Sequence, residues 1–439
     1  MFKTIASMLK NKEIRNRILF TLAILFIFRF GAALTVPGIN PDAVANIENN
    51  SLFDMINLLG GGGLEQLSVF SLGVGPYITA SIIIQLLSMD VIPHFTELSK
   101  QGAQGRKVLD KYTRYLSIIL GFVQAFTLMY GFSQSTPNLI DANNLWANIL
   151  FISTVLVAGS MFVLWLGDRI TARGIGNGQS MIIAAGIIAD LPFQLTQAWT
   201  AMVDTSSSAA AFNGVLSVAG YILCYIVIIV FVVIISTAER KIPIQYTSST
   251  VSTKRKDMNY LPLKINSASV IPVIFASSIM VAPLSIIKML TAADWVTKLE
   301  YFLGMRNAVS LGIYVVLIIL FTFFYTELQV NPEQIAENLG KSGTYIPGVR
   351  PGKETKEYIT KVLNRITVLG ALALAAVAVL PHALPLFTSL PASLGIGGTG
   401  IIIVVGVALE TVNQIKGRMT QRSYTGFKKL GSKGSKYFH

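Results

Sequence analysis

The sequence is poor in charge. Of its 439 residues only 13% are Asp, Glu, Lys or Arg, while 52% are hydrophobic. A soluble domain carries about twice that charged share, so the composition excludes an ordinary soluble protein and indicates a polytopic membrane protein. Cysteine is nearly absent: Cys224 alone cannot close an intrachain disulfide. The three histidines, His94, His382 and His439, are scattered, and none falls in an HExxH pattern. No GxxxxGK[ST] follows a strand, so Gly60–Gly63 is no nucleotide loop and the chain shows no engine of its own. The apolar runs hold few ionisable groups. Arg29 lies inside one, whereas Asp90, Asp190 and Glu410 lie near run ends. An ion-coupled transporter is expected to bury acids or their basic partners along its path. Arg29 by itself reads as a structural residue, paired or snorkelling, rather than a relay. Neither an aspartate dyad nor a Ser/His pair for intramembrane proteolysis is present. No enzyme activity is expected.

What is present is a set of apolar runs at about 18–37, 76–92, 115–134, 147–167, 178–195, 214–237, 268–290, 308–327, 366–385 and 396–415. Each is long enough to cross a bilayer, or nearly so. The first follows a basic N-terminus but is too long for a typical signal-peptide core, so it reads as a retained span. Lys and Arg concentrate on alternate connections: the N-terminal tail, 93–114, Arg169 and Arg173, 238–266, 328–365 and the C-terminal tail. Lys288, Lys298 and Arg306 oppose the alternation. The positive-inside rule then places both termini and the long loops in the cytoplasm, which requires an even number of spans; ten fit.

One stretch breaks the pattern. Residues 60–90 read GGGGLEQLSVFSLGVGPYITASIIIQLLSMD. The piece Leu64–Leu72 would reach roughly 14 Å as a helix, about half of a bilayer core, so it cannot span. Irregular backbone at membrane depth is tolerated only where protein buries it or where it lines an aqueous cavity. Loop 238–266 alternates apolar and polar residues around a Ser/Thr/Lys tip and predicts a β-hairpin. Loop 328–365 holds PGVRPG, a Pro/Gly turn presenting Arg350. Basic loops of this length either dock partners or serve as topology signals beside anionic lipid. Five spans before the polar connection 190–213 and five after it give two halves of inverted topology, 1–195 and 196–439, an arrangement that places a pathway between halves.

Seven segments carry a family resemblance: LTVPGI at 34–39, SVFSLGVGPYITASIIIQLL at 68–87, GRKVLDKYTRY at 105–115, GIGNGQSMIIAAGI at 174–187, LPLKINSASVIPVIFASSI at 261–279, PGVRPGKET at 347–355 and GGTGIIIVVGVALET at 397–411. In this order they resemble the SecY family, channel-forming subunits of the bacterial protein-translocation complex. The resemblance implies an all-α fold of ten transmembrane helices in two pseudosymmetric inverted halves around an hourglass pore. It implies a plug helix at about 61–72, with Leu64, Leu67, Phe70 and Leu72 as its apolar residues and Gly73, Gly75 and Pro76 as its hinge; a passive re-entrant segment is the alternative. The constriction would be ringed by Val74, Ile78, Ile183, Ile187, Ile274 and Ile403, with valine at position 74 where isoleucine is typical. A narrow apolar ring resists ions by dewetting yet deforms around a polypeptide. Thr79, Ser81, Gln85, Ser277 and Ser278 would line a lateral gate to lipid, unless each bonds back to its own helix. Arg350 would engage a motor ATPase or the ribosome, with Lys254, Arg255 and Lys256 of the hairpin docking beside it. Implied partners are the small membrane subunits SecE and SecG, the motor SecA, the ribosome, signal-peptide-bearing substrate proteins and the lipid bilayer, with no DNA and no cofactor. The implied location is the bacterial cytoplasmic membrane.

Overall fold

The computed structural model describes residues 12–40, 43, 67–89, 91–136, 139–140, 144–203, 208–246, 259–290, 294–304, 307–387 and 400–417. Leu64 and Lys254–Lys256 therefore lie outside the described residues. Seven helices among those described are long and apolar enough to cross a membrane. The chain is an all-α polytopic membrane protein, with one small sheet among the described residues.

In chain order the elements are α1 (Lys12–Ala32), α2 (Gly75–Leu87), α3 (Pro93–Lys100), α4 (Ala103–Ser135), α5 (Leu145–Arg173), α6 (Gly178–Met202) and α7 (Ser208–Thr237). Strands β1 (Glu239–Tyr246) and β2 (Asn259–Lys264) follow, then α8 (Ile271–Leu290), α9 (Asp294–Leu303), α10 (Ala308–Gln329), α11 (Pro332–Lys341), β3 (Thr344–Tyr345), α12 (Lys353–Phe387) and α13 (Gly400–Gly417). Two helices stop before the apolar runs they carry do. The run at 18–37 ends its helix at Ala32, because Thr35 pairs with Ser68 in an isolated bridge and Pro37 follows. The run at 76–92 ends at Leu87, since Pro93 already opens α3.

Contacts divide the chain into two compact units. The first comprises Met1–Phe193, Ser285–Ala292 and Ile403–His439; the second comprises Gln194–Leu284 and Ala293–Ile402.

In the first unit α4 packs against both α2 and α5, and α1 against α5. Its core joins Val36, Leu67 and Leu72 to Leu128, Met129 and Phe132 of α4 and to Ile149, Ile152 and Leu156 of α5. Between apolar helices in lipid, close packing rather than expulsion of water supplies the attraction, so small residues mark the contacts. A Cβ on Gly178 would strike the Gly167 carbonyl, for example, which brings the start of α6 against α5. Two ion pairs tie helices here: Arg114 to Asp168 at 2.8 Å and Arg29 to Asp190 at 3.7 Å. Of the two readings its place in an apolar run left open, pairing or snorkelling, Arg29 thus shows a pairing. Gln179 also donates to Asp168, at 3.3 Å.

The second unit packs α12 against α10, α7 and α11. Its sheet has the order β2-β1-β3. The hairpin β1–β2 is antiparallel from Glu239↔Lys264 to Ile244↔Asn259, and β3 joins β1 through Gln245↔Tyr345. Ile242, Leu263, Ile346, Ile359 and Leu363 form a separate core beneath it. Helix α11 starts sharply because Asn331 accepts bonds from the amides of Glu333 and Gln334, with Pro332 at its first position.

Candidate functional site

Among the described residues of the first unit, the segment 67–74 is irregular and buried. Of the expected plug, 61–66 lie outside the described residues; 67–72 form a chain of turns and one bridge rather than a helix. The reason lies in the local bonds. Ser68 is engaged on three sides: it bridges Thr35, its hydroxyl accepts from the Phe70 amide at 3.2 Å, and its carbonyl accepts from the Ser71 hydroxyl at 2.6 Å. Such side-chain bonds compete with helix formation. Leu67 sits at φ +42° and Gly73 at φ +50°. For leucine that conformation costs on the order of 1–2 kcal/mol, offset by full burial of its side chain.

Two elements hold the segment. On one side the chain after α1 exchanges backbone bonds with it, Val36 N to Leu67 O at 3.1 Å and Val69 N to Leu34 O at 3.0 Å. On the other, Ser160 of α5 donates its hydroxyl to the Gly73 carbonyl at 2.7 Å. Phe70 is clasped between aromatic rings, stacked on Phe28 with centroids 6.1 Å apart and on Phe162 at 5.9 Å. Two glycines make room. A Cβ on Gly31 would run into the Phe70 ring, and one on Gly159 would strike the Val69 carbonyl oxygen. Leu67, Phe70 and Leu72 are all buried. The backbone polar groups of a non-helical stretch in an apolar bundle are therefore largely satisfied by protein, as membrane depth requires.

Neither Ser160 nor the two glycines was singled out from sequence. The signal available was Ala158-Gly159-Ser160, a small-residue triplet in an otherwise bulky span, which is how close backbone approach is written in membrane helices. Replacing Ser160 by alanine leaves the Gly73 carbonyl without its side-chain donor, at a cost of about 1–3 kcal/mol. The expected result is a loosened segment, read as faster hydrogen exchange of its amides than in the parent protein. Exchange equal to that of the parent protein would mean that this bond does not hold the segment.

The six apolar residues named for the constriction are each buried. Val74, Ile78, Ile183, Ile187 and Ile403 belong to the first unit and Ile274 to the second. Val74 caps the N-terminus of α2, and Gly75 and Pro76 form its first turn; proline suits this position because its amide would lack a partner anyway. The polar residues named for the gate bond within their own helices. Thr79 donates to the Gly75 carbonyl at 3.2 Å, Gln85 to the Ser81 hydroxyl at 3.0 Å, and Ser277 and Ser278 both to the Ile274 carbonyl at 2.9 and 2.8 Å.

Arg350 is presented rather than packed. Gly348 at φ +82° and Gly352 at φ +98° turn the chain on either side of it, a geometry that favours glycine. The Thr355 hydroxyl grips its carbonyl at 2.8 Å. Ile346 and Val349 anchor the turn in the core of the second unit. The guanidinium is 88% exposed and meets only Glu354, at 3.8 Å, among the described ion pairs.

Comparison with known proteins follows the same lines. The SecY family signature matches residues 68–412. The chain is 44% identical over 431 residues to the protein translocase subunit SecY of Staphylococcus carnosus, covering 97% of this chain and 99% of that one. It is 44% identical over 431 residues to the protein of the same name from Bacillus subtilis, covering 98% and 100%. Among solved structures it is similar in fold to one described as a protein conducting channel, with TM-score 0.63, 18% identity and 91% of each chain covered. It also resembles a chain of the idle yeast Ssh1 complex bound to the 80S ribosome, with TM-score 0.64, 14% identity and 90% and 89% coverage.

Proposed function

The chain belongs to the SecY family, which makes it the central protein-conducting channel subunit of the Sec translocon, and we propose that it passes unfolded secretory proteins across the bacterial cytoplasmic membrane and releases membrane proteins sideways into lipid. It is a passive channel. The driving force comes from a partner, the SecA motor or the translating ribosome, and SecE and SecG complete the membrane complex.

The observation that carries the mechanism is the clasped segment 67–74, irregular backbone buried within the apolar first unit. It acts as the foot of a stopper, with Gly73, Gly75 and Pro76 as the hinge. Val74, Ile78, Ile183, Ile187, Ile274 and Ile403 form the waist that closes around a moving polypeptide. Ten spans are supported by the seven long apolar helices together with α1, α2 and α8, of which α2 and α8 carry shorter apolar stretches. The halves 1–195 and 196–439 hinge to open a seam lined by Thr79, Ser81, Gln85, Ser277 and Ser278. The helix-internal bonds of these side chains suit such a seam, because they can persist when the helices part. Both termini, the hairpin and the Arg350 turn face the cytoplasm.

Crosslinking tests the pathway. With Cys224→Ser as background, cysteines at Ile78 or Ile187 should crosslink to a secretory chain stalled in transit. Solute flux without any such crosslink would instead indicate a small-solute transporter.

A further inference from the structure

Helix α9 follows α8 in the chain and precedes α10, with which it shares the second unit. The chain leaves the far end of α10 for α11 and β3, so α9, at the other end of α10, lies at the end of the unit remote from the sheet. It is ten residues long and packs on α10. Its inward contact is Val296, 4% exposed, with Leu299 and Leu303 half-buried on the same helical face. A second arc points away from the protein. Trp295 is 54% exposed, Tyr301 49% and Phe302 46%, with Lys298 exposed between them.

Each of these rings carries on the order of 150–250 Å² of largely apolar surface. Three of them exposed on ten residues exceed what a water-facing helix ordinarily shows. Helix α10, on which α9 packs, begins at Ala308, and its apolar Val309, Val316 and Leu320 are exposed along a helix of spanning length. Trp199, half exposed, closes α6 in the same unit, and α7 then returns toward β1, so this indole too lies at the end remote from the sheet. Tryptophan and tyrosine collect at the level of the lipid headgroups, where the ring is half in hydrocarbon and its polar edge is wet. A lysine among them reaches headgroup phosphate while its stem stays in the apolar layer.

We propose that α9 lies flat in the membrane interface opposite the basic loops, its Trp295, Tyr301 and Phe302 rings set among the lipid glycerol and upper acyl groups. The link between α8 and α10 is thereby fastened to the lipid leaflet itself. A movement of α8 against α10 has to drag α9 through the interface or pivot about it, which gives leaflet composition a direct hold on that movement. This inference rests on the membrane-spanning reading of the unit, and the test separates the two.

The experiment uses the full translocon complex, with the other three tryptophans of this chain replaced (Trp146→Phe, Trp165→Phe, Trp199→Phe), reconstituted in vesicles of brominated phosphatidylcholine. The same complex with no tryptophan in this chain supplies the background. Trp295 should lose about half its emission to bromines near the glycerol end of the acyl chain, less to bromines near the methyl end, and little to aqueous iodide, as expected at a depth of about 5–10 Å. Strong quenching by iodide would place α9 in water. Quenching by neither would mean that protein covers it. Either result overturns the proposal. A parallel complex with its single tryptophan introduced by Val316→Trp reports on α10: quenching there by deep bromines keeps the span intact whatever α9 does. If the triple replacement lowers yield, Tyr301→Cys in a Cys224→Ser background, labelled with an environment-sensitive dye, gives the same readout.

Discussion

Arg350→Glu is expected to abolish motor-driven translocation while the channel still inserts in the membrane and assembles with its small subunits. The turn that carries Arg350 is built independently of the guanidinium. Gly348 and Gly352 set the backbone, Thr355 holds the carbonyl, and Ile346 and Val349 anchor the base, so substitution at an 88% exposed side chain leaves the fold intact. What changes is the charge offered to a partner. Arginine can grip a carboxylate or phosphate at two points, and its planar fork has no equivalent in lysine. Losing one partner of a desolvated charged contact costs about 2–5 kcal/mol, roughly thirtyfold to several thousandfold in affinity; reversing the charge adds repulsion. Arg350→Lys keeps the charge without the fork and should also fail. The measurement is preprotein protection from protease in inverted vesicles, with immunoblotting for channel abundance. Normal secretion by the Glu variant at normal channel levels would remove Arg350 from the docking role.

Gly159→Val is expected to unseat the stopper and make the resting channel leak. The added Cβ meets the Val69 carbonyl oxygen, a backbone atom that cannot swing aside as a side-chain tip can. Either α5 or the segment 67–74 must move, and the second is irregular backbone without a helix's hydrogen-bond ladder to stiffen it. Overpacking of this kind costs about 1–3 kcal/mol, which shifts the seated-to-unseated ratio roughly fivefold to over a hundredfold. Displacement also stretches the neighbouring bond from Ser160 to the Gly73 carbonyl, so the two effects reinforce one another. Ion flux through resting complexes in proteoliposomes is the readout. Gly312→Val is the matched control: a Cβ there meets nothing within 4 Å, so the seal should hold. A Gly159→Val channel as tight as the parent would show that the segment is not what closes the pathway.

The two variants differ in how far the sequence alone announces them. Arg350 is legible because PGVRPG encodes its own geometry: two glycines and two prolines fix a local turn, and the lone arginine at its tip is left exposed. The β1–β2 hairpin is legible for the same reason, since alternation with period two is a local property of the chain. The clasp around Phe70 is not. Ser160 and Gly73 are 87 residues apart, and nothing in either neighbourhood names the other. The family resemblance implies a short plug helix through 72, whereas Ser68, pulled to Thr35 by a bridge and to Phe70 and Ser71 by hydrogen bonds, leaves its described part as turns. The apolar runs also overstate some helices, because hydrophobicity continues past the backbone breaks at Ala32 and Leu87.

Charge scarcity, the lengths of the apolar runs and the alternation of basic connections settle by themselves that this chain lives in a membrane, because a bilayer tests each segment for length and polarity one at a time. They leave undetermined which side chains meet. Gly31 beside Phe70, Gly159 beside Val69 and Arg29 beside Asp190 are decided only when helices distant in sequence pack, since contact in lipid depends on shape rather than on hydrophobicity, and shape is shared between partners.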